Sequence, residues 1–416
     1  MTVRREAGFT LVELMITMVV FVLVIAAASQ VFTSLLTQFK QQNKMAETHI
    51  EGAVGLGILR HDLEHAGFGL PWNMNGTAYT EAGIIATPVA TPWVDRDLND
   101  GPPNNPDRGA CPGAATVCDA TGVSNPPAAI RSLNDEYEAA SFTAASCPAS
   151  GNCSDVLTIK SANVAMNNTS QAWSHLEFGG AKVNGLSGES FADTDRIIVL
   201  SPGTNASNRR RLEIDGTGNW FTTWNATGGF VPPNPGQTNV IYGIKPAGSP
   251  AADPIMPFNR ADYYIRRPSS GMPPACAPNT GILYKAVLNH ENNTQHTEYP
   301  LMSCVADLQV VYLVDTDNNP ATLPVPVNDT STIMTATLRN QLTEVRVYIL
   351  AHEGQRDPSY KYTVSADDLA LCGGSATSIY VGDSNIGQGR CFDFTASNAN
   401  YHWRLYNIVV RPSNLR

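Results

Sequence analysis

The chain has 416 residues and a formal net charge of −10 at pH 7, with 37 acidic and 27 basic side chains. This length is sufficient for more than one domain and a sizeable core. The composition argues against a nucleic-acid-binding protein, because no large block of Lys and Arg occurs. Arg209, Arg210 and Arg211 form the one basic triplet, and its position beside a predicted strand is typical of a solvated sheet edge.

An apolar segment, Gly8–Ala28, follows a short polar leader of residues 1–7 that contains Arg4 and Arg5. The segment is long enough for a membrane helix, which needs about 20 apolar residues. The two arginines predict that the leader stays in the cytoplasm while the rest of the chain is exported. A secretory signal peptide has its cleavage site after the apolar core. Here the expected cleavage site, Gly8, precedes the core, so the core would be retained.

This order of a glycine, an aromatic residue, one acid and an apolar run resembles the class III signal of type IV pilins and type II secretion pseudopilins. The matching positions are Gly8, Phe9, Thr10, Leu11, Glu13 and Leu14. The resemblance implies that a membrane peptidase cleaves after Gly8 and methylates the new amine of Phe9. It also implies that Glu13 meets this amine on a neighbouring subunit. The alternative is that Glu13 only stabilises the positive end of its own helix.

The helical pattern continues beyond the membrane segment, and the first proline after it is Pro71. Apolar or small residues recur with helical spacing at Met45, Gly52, Leu56, Leu59, Leu63 and Ala66. We therefore predict one helix over residues 9–66. Gly52, Gly55 and Gly57 either weaken this helix or permit a sheet to pack closely against it.

Residues 67–154 are rich in Gly, Pro, Asn and Asp, which predicts an exposed loop region with one short strand near Gly83–Ala86. Residues 155–416 are predicted to form a β-rich domain, because short β-prone runs alternate with turn residues. The runs are V-L-T-I-K, R-I-I-V-L, N-V-I-Y-G-I and D-Y-Y-I-R, then four runs that begin at Ile282, Asp307, Thr343 and Arg404. The expected fold class is α+β, with the exposed half of the long N-terminal helix packed against a C-terminal antiparallel β-sheet domain with disulfide-pinned loops.

Eight cysteines lie outside the membrane segment, and an even count in an exported domain predicts disulfides. Neighbours in sequence suggest the pairs Cys111–Cys118, Cys147–Cys153, Cys276–Cys304 and Cys372–Cys391, although the sequence does not prove a connectivity. A zinc site is the weaker alternative because no C-x-x-C pair occurs.

The segment G-A-V-G-L-G-I-L-R-H-D-L-E-H-A-G-F, from Gly52, resembles the end of the helix in PilW-type minor pilins, where a leucine, an Arg-Asp pair and A-G-F recur. His61 interrupts the Arg-Asp pair in this chain. The C-terminal order of D-T-D-N, E-V-R-V and a final N-L-R is also similar. The resemblance implies a minor pilin of a type IV pilus, anchored in the inner membrane with its domain in the periplasm and later part of the extracellular pilus. The implied partners are the prepilin peptidase, other minor pilins, the major pilin, a tip adhesin and the inner-membrane assembly platform.

Three other functions are alternatives to a minor pilin. A type II secretion pseudopilin of the GspJ type would share the helix and a sheet domain. A membrane-anchored adhesin would use the loops of Pro71–Pro127. An anchored hydrolase lacks a supporting site, because the sequence contains no G-x-S-x-G, G-x-x-x-x-G-K or G-x-G-x-x-G motif. We therefore expect no enzyme activity.

Two patterns suggest metal ligands, and each has a simpler explanation. His61-Asp62-Leu63-Glu64-His65 matches an inverted zinc-protease motif, but a solvated helix end explains it as well. Asp315, Asp317 and Asn319 resemble the start of a calcium loop, although no glutamate follows at the twelfth position. An Asp/Asn turn is the favoured reading there. No cofactor is expected otherwise.

Overall fold

A computed structural model describes residues 10–77, 126–138, 153–203, 209–248, 253–256, 258–268, 271–290, 295–319, 321–328, 330, 333, 335–394 and 396–415. The helices are α1 (Leu11–Glu64), α2 (Asn168–Gln171), α3 (Thr335–Gln341) and α4 (Ala366–Leu371). The strands are β1 (Ile130–Glu138), β2 (Cys153–Lys160), β3 (Trp173–Glu177), β4 (Arg196–Ser201), β5 (Arg211–Leu212), β6 (Thr222–Thr223), β7 (Thr238–Lys245), β8 (Arg260–Arg266), β9 (Gly281–Asn289), β10 (Gln295–Val314), β11 (Val325–Val327), β12 (Leu342–Glu353), β13 (Ser378–Asp383), β14 (Gln388–Asp393) and β15 (His402–Val410).

Helix α1 is continuous over 54 residues, which corresponds to a length of about 80 Å. It ends two residues before the predicted end, and the chain then turns at Gly67 and Gly69. Both glycines have positive φ angles, 81° and 70°, a conformation that glycine adopts without steric strain. The α+β fold class and the long N-terminal helix are confirmed.

An eight-stranded antiparallel sheet packs against the C-terminal part of α1. Its strand order is β1-β2-β8-β9-β10-β12-β15, and β11 pairs with β10. Alternate residues of β10 face different cores, so Leu308 and Val310 contact the helix side while Val311 lies on the opposite side with Tyr348. This agrees with the prediction that both faces of β10 are buried.

The predicted antiparallel β-sheet domain contains a second sheet, because β3–β7 form a separate five-stranded sheet in the order β3-β7-β4-β5, with β6 paired to β4. Strand β4 shows how the two sheets fit together. Ile198 and Leu200 face the main core, whereas Ile197 and Val199 face a second core with Trp224. A run that is apolar on both faces fits between two layers, and its sequence does not specify the sheet to which it belongs. A two-stranded sheet, β13-β14, completes the described fold.

The loop prediction for residues 67–154 is wrong at β1, which is an edge strand of the main sheet. The sequence of β1 is mostly polar, and for this reason the strand was not predicted. Arg131 is buried. Its guanidinium donates hydrogen bonds to the carbonyl oxygens of Thr330 and Ile333, at 2.6 and 2.5 Å, and these bonds compensate for its lost contact with water. The Ser132 amide donates to the Thr330 hydroxyl at 2.7 Å. The predicted strand at 83–86 lies outside the described residues.

Two of the three helix glycines allow the close approach that the sequence suggested. A Cβ at Gly55 would overlap the carbonyl oxygen of Leu301 in β10, and a Cβ at Gly52 would lie 3.2 Å from the Met302 methyl carbon. Gly57, by contrast, faces open space, with nothing within 4 Å of its Cβ position. The backbone of α1 therefore touches the backbone of β10 at Gly55.

We predict opposite effects of alanine at Gly55 and at Gly57. Gly55→Ala should lower the free energy of unfolding by about 1–3 kcal/mol, since overpacking forces the helix away from Leu301. Gly57→Ala should raise it by about 0.5–1 kcal/mol, because alanine favours the helix and meets no neighbour. Urea unfolding of the full chain in detergent micelles measures both. Equal effects at the two positions would contradict this packing.

Candidate assembly site

The described chain begins at a helix cap that includes Glu13. The Thr10 hydroxyl accepts a hydrogen bond from the Glu13 amide at 3.3 Å, and the Glu13 carboxylate accepts from the Thr10 amide at 2.9 Å. This reciprocal arrangement is a capping box, and it satisfies two amides that the helix leaves without partners. The sequence T-L-V-E, from Thr10, has the pattern of this cap, a threonine followed three residues later by a glutamate. Gly8 and Phe9 lie outside the described residues, so cleavage and amine pairing stay predictions.

The N-terminal half of α1 is apolar around its whole circumference, and within the described part of the chain no other segment covers it. The large apolar side chains between residues 11 and 39 are exposed, from 43% for Leu36 to 78% for Leu11. A helix that is apolar on all sides needs a membrane or other protein around it. Among the described residues, α1 is the one helix long and apolar enough to cross a membrane. This half is the candidate assembly surface, residues 11–39.

The threonine hydroxyls on this surface are satisfied within the helix. Thr17 donates to the Leu14 carbonyl at 2.9 Å, and Thr37 donates to the Thr33 carbonyl at 2.9 Å. In hydrocarbon an unsatisfied hydroxyl would be destabilising by several kcal/mol. The helix can therefore be surrounded by lipid or by apolar side chains without leaving these groups unpaired.

The other end of α1 is fixed to the main sheet by a buried ion pair. The Asp62 carboxylate lies 2.5 Å from the Lys285 ammonium on β9, and both side chains are no more than 4% exposed. The Tyr263 hydroxyl on β8 donates to the same carboxylate. Burial and the Asp62 charge hold the pKa of Tyr263 well above its usual value, so it remains a neutral donor. The sequence does not identify this cluster, because Tyr263 lies 201 residues from Asp62 in the chain and Lys285 lies further still.

The chain beyond α1 is held by the C-terminal segment. Ser413 donates to the carbonyl of Glu64, the last helical residue, from its amide at 3.4 Å and its hydroxyl at 3.2 Å. Arg210 donates to the carbonyls of Gly67 and Asn414, each at 3.1 Å. The helix end, β5 and the C-terminus are thus joined at one place, which limits rotation of α1 against the sheets.

The histidines of the zinc-protease pattern interact with the helix itself. The rings of His61 and His65 stack with centroids 4.3 Å apart, and His65 Nδ1 lies 2.9 Å from the His61 carbonyl. Glu64 pairs with Arg60 at 2.8 Å. The hydrogen bond with Asp62 raises the pKa of His61 above its usual value. His61 is exposed and Glu64 and His65 are half-buried, whereas Asp62 and Leu63 of the same motif are buried, so the explanation as a solvated helix end fits only part of the motif.

Two of the suggested disulfides are present, Cys276–Cys304 and Cys372–Cys391. The first lies near His352, whose Nε2 accepts a hydrogen bond from the Ala277 amide at 2.8 Å. Burial lowers the pKa of His352 to about 4, so the ring is neutral. The sulfurs are bonded to each other and therefore offer no thiolate to a metal. The pairs Cys111–Cys118 and Cys147–Cys153 lie outside the described residues, apart from the backbone of Cys153.

The candidate calcium residues form a hydrogen-bonded turn between β10 and β11. The Asp317 carboxylate accepts from the Thr322 hydroxyl at 2.9 Å and from the Asn319 amide at 3.0 Å. These hydrogen bonds lower the pKa of Asp317, and the bond from the Thr322 hydroxyl has the largest effect. Asp315 lines a separate cavity with Trp72. The turn needs no cation to form these bonds, and calcium binding stays a prediction.

Comparison with known protein families gives two matches. Residues 3–29 match the prokaryotic N-terminal methylation motif, and residues 262–407 match Type IV Pilus-assembly protein W. The chain is thus similar to prepilin-type proteins at its N-terminus and to PilW over residues 262–407. No significant match is found among curated proteins or solved structures.

The PilW match spans the main sheet from β8 into β15 and contains both described disulfides. It also contains Tyr263 and Lys285, the two sheet partners of Asp62. The five-stranded sheet lies outside both matches. The start of α1 and the main sheet, which holds the end of α1, therefore each match a known family. Both matches support a role in a type IV pilus.

We predict that the Asp62–Lys285 pair is strongly coupled in stability. Asp62→Ala should lower the free energy of unfolding by about 3–5 kcal/mol, because it leaves a buried ammonium without its carboxylate. The double variant Asp62→Leu/Lys285→Met should recover most of this loss, since no charge is then buried. Urea unfolding in micelles of the wild type, of Asp62→Leu and Lys285→Met as single variants, and of the double variant gives the coupling energy. A double variant as unstable as the sum of the single changes would contradict the pairing.

Proposed function

We propose that this protein is a PilW-like minor pilin, a structural subunit that acts in priming assembly of a type IV pilus or at the pilus tip. The observation that carries the proposal is the form of α1. One continuous helix has an N-terminal half that no described residue covers and a C-terminal part embedded in the PilW-matching domain. Such a helix can be surrounded first by lipid and then by the helices of other subunits without refolding.

The subunit would start as a single-pass protein of the inner membrane, with the disulfide-containing domain in the periplasm. Prepilin peptidase would cleave after Gly8 and methylate the amine of Phe9. The mature protein would then join other minor pilins and the major pilin on the inner-membrane assembly platform, near a tip adhesin. The partners' helices would cover the assembly surface, residues 11–39, which supplies apolar contacts and little directional specificity.

Glu13 would supply the specificity that apolar contacts lack. In the described part of the chain its carboxylate accepts hydrogen bonds from the amide and the hydroxyl of Thr10, which are neutral groups. An unpaired carboxylate in an apolar environment is strongly destabilising. The amine of a neighbouring mature Phe9 would be a cation at similar depth. The pair would therefore favour one axial register between adjacent helices.

A type II secretion pseudopilin of the GspJ type is the nearest alternative, because it shares the N-terminal motif. The PilW match over residues 262–407 favours the pilus. A membrane-anchored adhesin would use loops that lie largely outside the described residues. The PilW family is structural, which supports a subunit without enzyme activity.

Two variants separate the charge of Glu13 from its capping role. Glu13→Gln keeps a side-chain oxygen that can complete the capping box but removes the charge. Thr10→Val removes the hydroxyl of the cap and keeps the charge. If Glu13 pairs with a neighbour's amine, Glu13→Gln loses an attraction on the order of 3–5 kcal/mol, and Thr10→Val loses about 1 kcal/mol.

We therefore predict that Glu13→Gln sharply reduces the amount of this protein in sheared pili, while Thr10→Val leaves it nearly normal. Immunoblots of the sheared and membrane fractions measure the distribution. Cleavage after Gly8 should proceed in both variants, and the mobility of the membrane-bound protein checks this. Wild-type amounts of Glu13→Gln in the sheared fraction would contradict pairing and leave capping as the function of Glu13.

A further inference from the structure

A cavity of about 320 Å³ lies where the chain after α1 meets the turn between β10 and β11. Its lining residues are Trp72, Arg209, Asp315, Asn318 and Asn340. They come from four separate segments, the chain after α1, the residues before β5, the β10–β11 turn and the end of α3. The volume is at the lower end of the range for small-molecule sites, about 300–1,000 Å³. It is suited to one ring, so a longer saccharide would place one ring in the cavity and its other rings outside.

Three guanidinium groups surround the half-buried indole of Trp72. The guanidinium carbons of Arg210, Arg339 and Arg209 lie 5.0, 5.2 and 6.0 Å from the ring centroid. Like charges at such spacing repel each other, although the ring attracts each of them. In a protein with a net charge of −10, this is a local concentration of positive charge. Arg209 lines the cavity together with Asp315, and Arg210 and Arg339 lie on the same indole without lining it. The arginines outnumber the carboxylate around Trp72, which favours an anion beside Arg209.

Arg210 adds a second reason to expect an anion. It is half-buried, and its hydrogen bonds go to the carbonyl oxygens of Gly67 and Asn414. These neutral acceptors fix its position but only partly compensate its charge. Burial accordingly lowers the pKa of Arg210. A negative group near the indole would stabilise the charged form.

The remaining groups select the kind of anion. Asn318 and Asn340 present amides that donate and accept hydrogen bonds, and Asp315 presents a carboxylate that accepts from hydroxyl groups. Asp315 would repel a doubly charged phosphate more than a single carboxylate. The indole offers an apolar surface for C–H groups. A hydroxyl-rich ring with one negative charge matches all of these groups.

We propose that the Trp72 cavity binds a sugar that carries a carboxylate. The carboxylate lies against Arg209, the ring hydroxyls bond to Asp315 and the two asparagines, and the C–H groups of the ring contact Trp72. Arg209 and Asn340 are exposed, so they can be replaced without disturbing the core. An acidic segment of another protein would use the arginines alone, because it lacks the hydroxyl groups.

The test is isothermal titration calorimetry with the full chain in uncharged detergent micelles, using trigalacturonate, the corresponding neutral trisaccharide of galactose, inorganic phosphate and a hexaglutamate peptide. Trigalacturonate should bind saturably and at least about tenfold more tightly than the other three, since one charge-assisted hydrogen bond accounts for about that factor. Raising the salt concentration should weaken this binding.

Three variants localise the site. Arg209→Gln should weaken trigalacturonate binding about tenfold. Asn340→Ala should weaken trigalacturonate binding and leave any phosphate binding unchanged. The matched control is Arg356→Gln, an exposed arginine beyond the opposite end of β12, about 40 Å from the cavity. It should bind trigalacturonate as the wild type does.

Circular dichroism of each variant confirms that the fold is retained. The proposal is overturned if the wild type does not bind trigalacturonate, or if Arg209→Gln binds it as tightly as Arg356→Gln does. It is also overturned if phosphate or hexaglutamate binds as tightly as trigalacturonate, since the cavity would then be a general anion site or a contact for an acidic protein segment.

Discussion

The structure depends on one constraint, which is that a single helix must be stable in two environments. Residues 11–39 of α1 need an apolar surrounding, while Leu59 and Leu63 in the same helix are completely buried in the domain core. The helix crosses from one environment to the other without a proline or a break. A force on residues 11–39 is therefore transmitted through α1 to the main sheet. The contacts between the C-terminal part of α1 and this sheet, here called the junction, must resist that force.

The junction resists by several kinds of contact at once. Gly55 brings the helix backbone against β10, and Asp62 places a charge where Lys285 and Tyr263 hold it. Ser413 then binds the last helical carbonyl. Apolar packing alone would permit the helix to slide or rotate, whereas a buried ion pair has one geometry. The orientation of the domain relative to the apolar half is thus determined by a few directional contacts.

Much of this architecture follows from local sequence patterns. Helical spacing located α1 to within two residues, and β-prone runs located strands such as β2 and β9. Such patterns do not predict contacts between residues that are far apart in the sequence. Asp62 lies beside Leu63 on the apolar stripe of the helix, but the sequence does not identify Tyr263, 201 residues away, as its partner. The polar strand β1 is stabilised by a distant loop, and the two faces of β4 belong to different cores, so the sequence indicates neither the strand β1 nor the sheet to which β4 belongs.

The central claim is that the apolar half of α1 is a retained assembly helix and not a removable signal. The most direct measurement is the intact mass of the protein purified from membranes of cells that contain an active prepilin peptidase, compared with cells in which the peptidase is inactive. The account predicts a chain that begins at Phe9 with one added methyl group in the first case and an intact leader in the second. A mature chain that begins after Ala28, or an uncleaved leader in both cases, would contradict it.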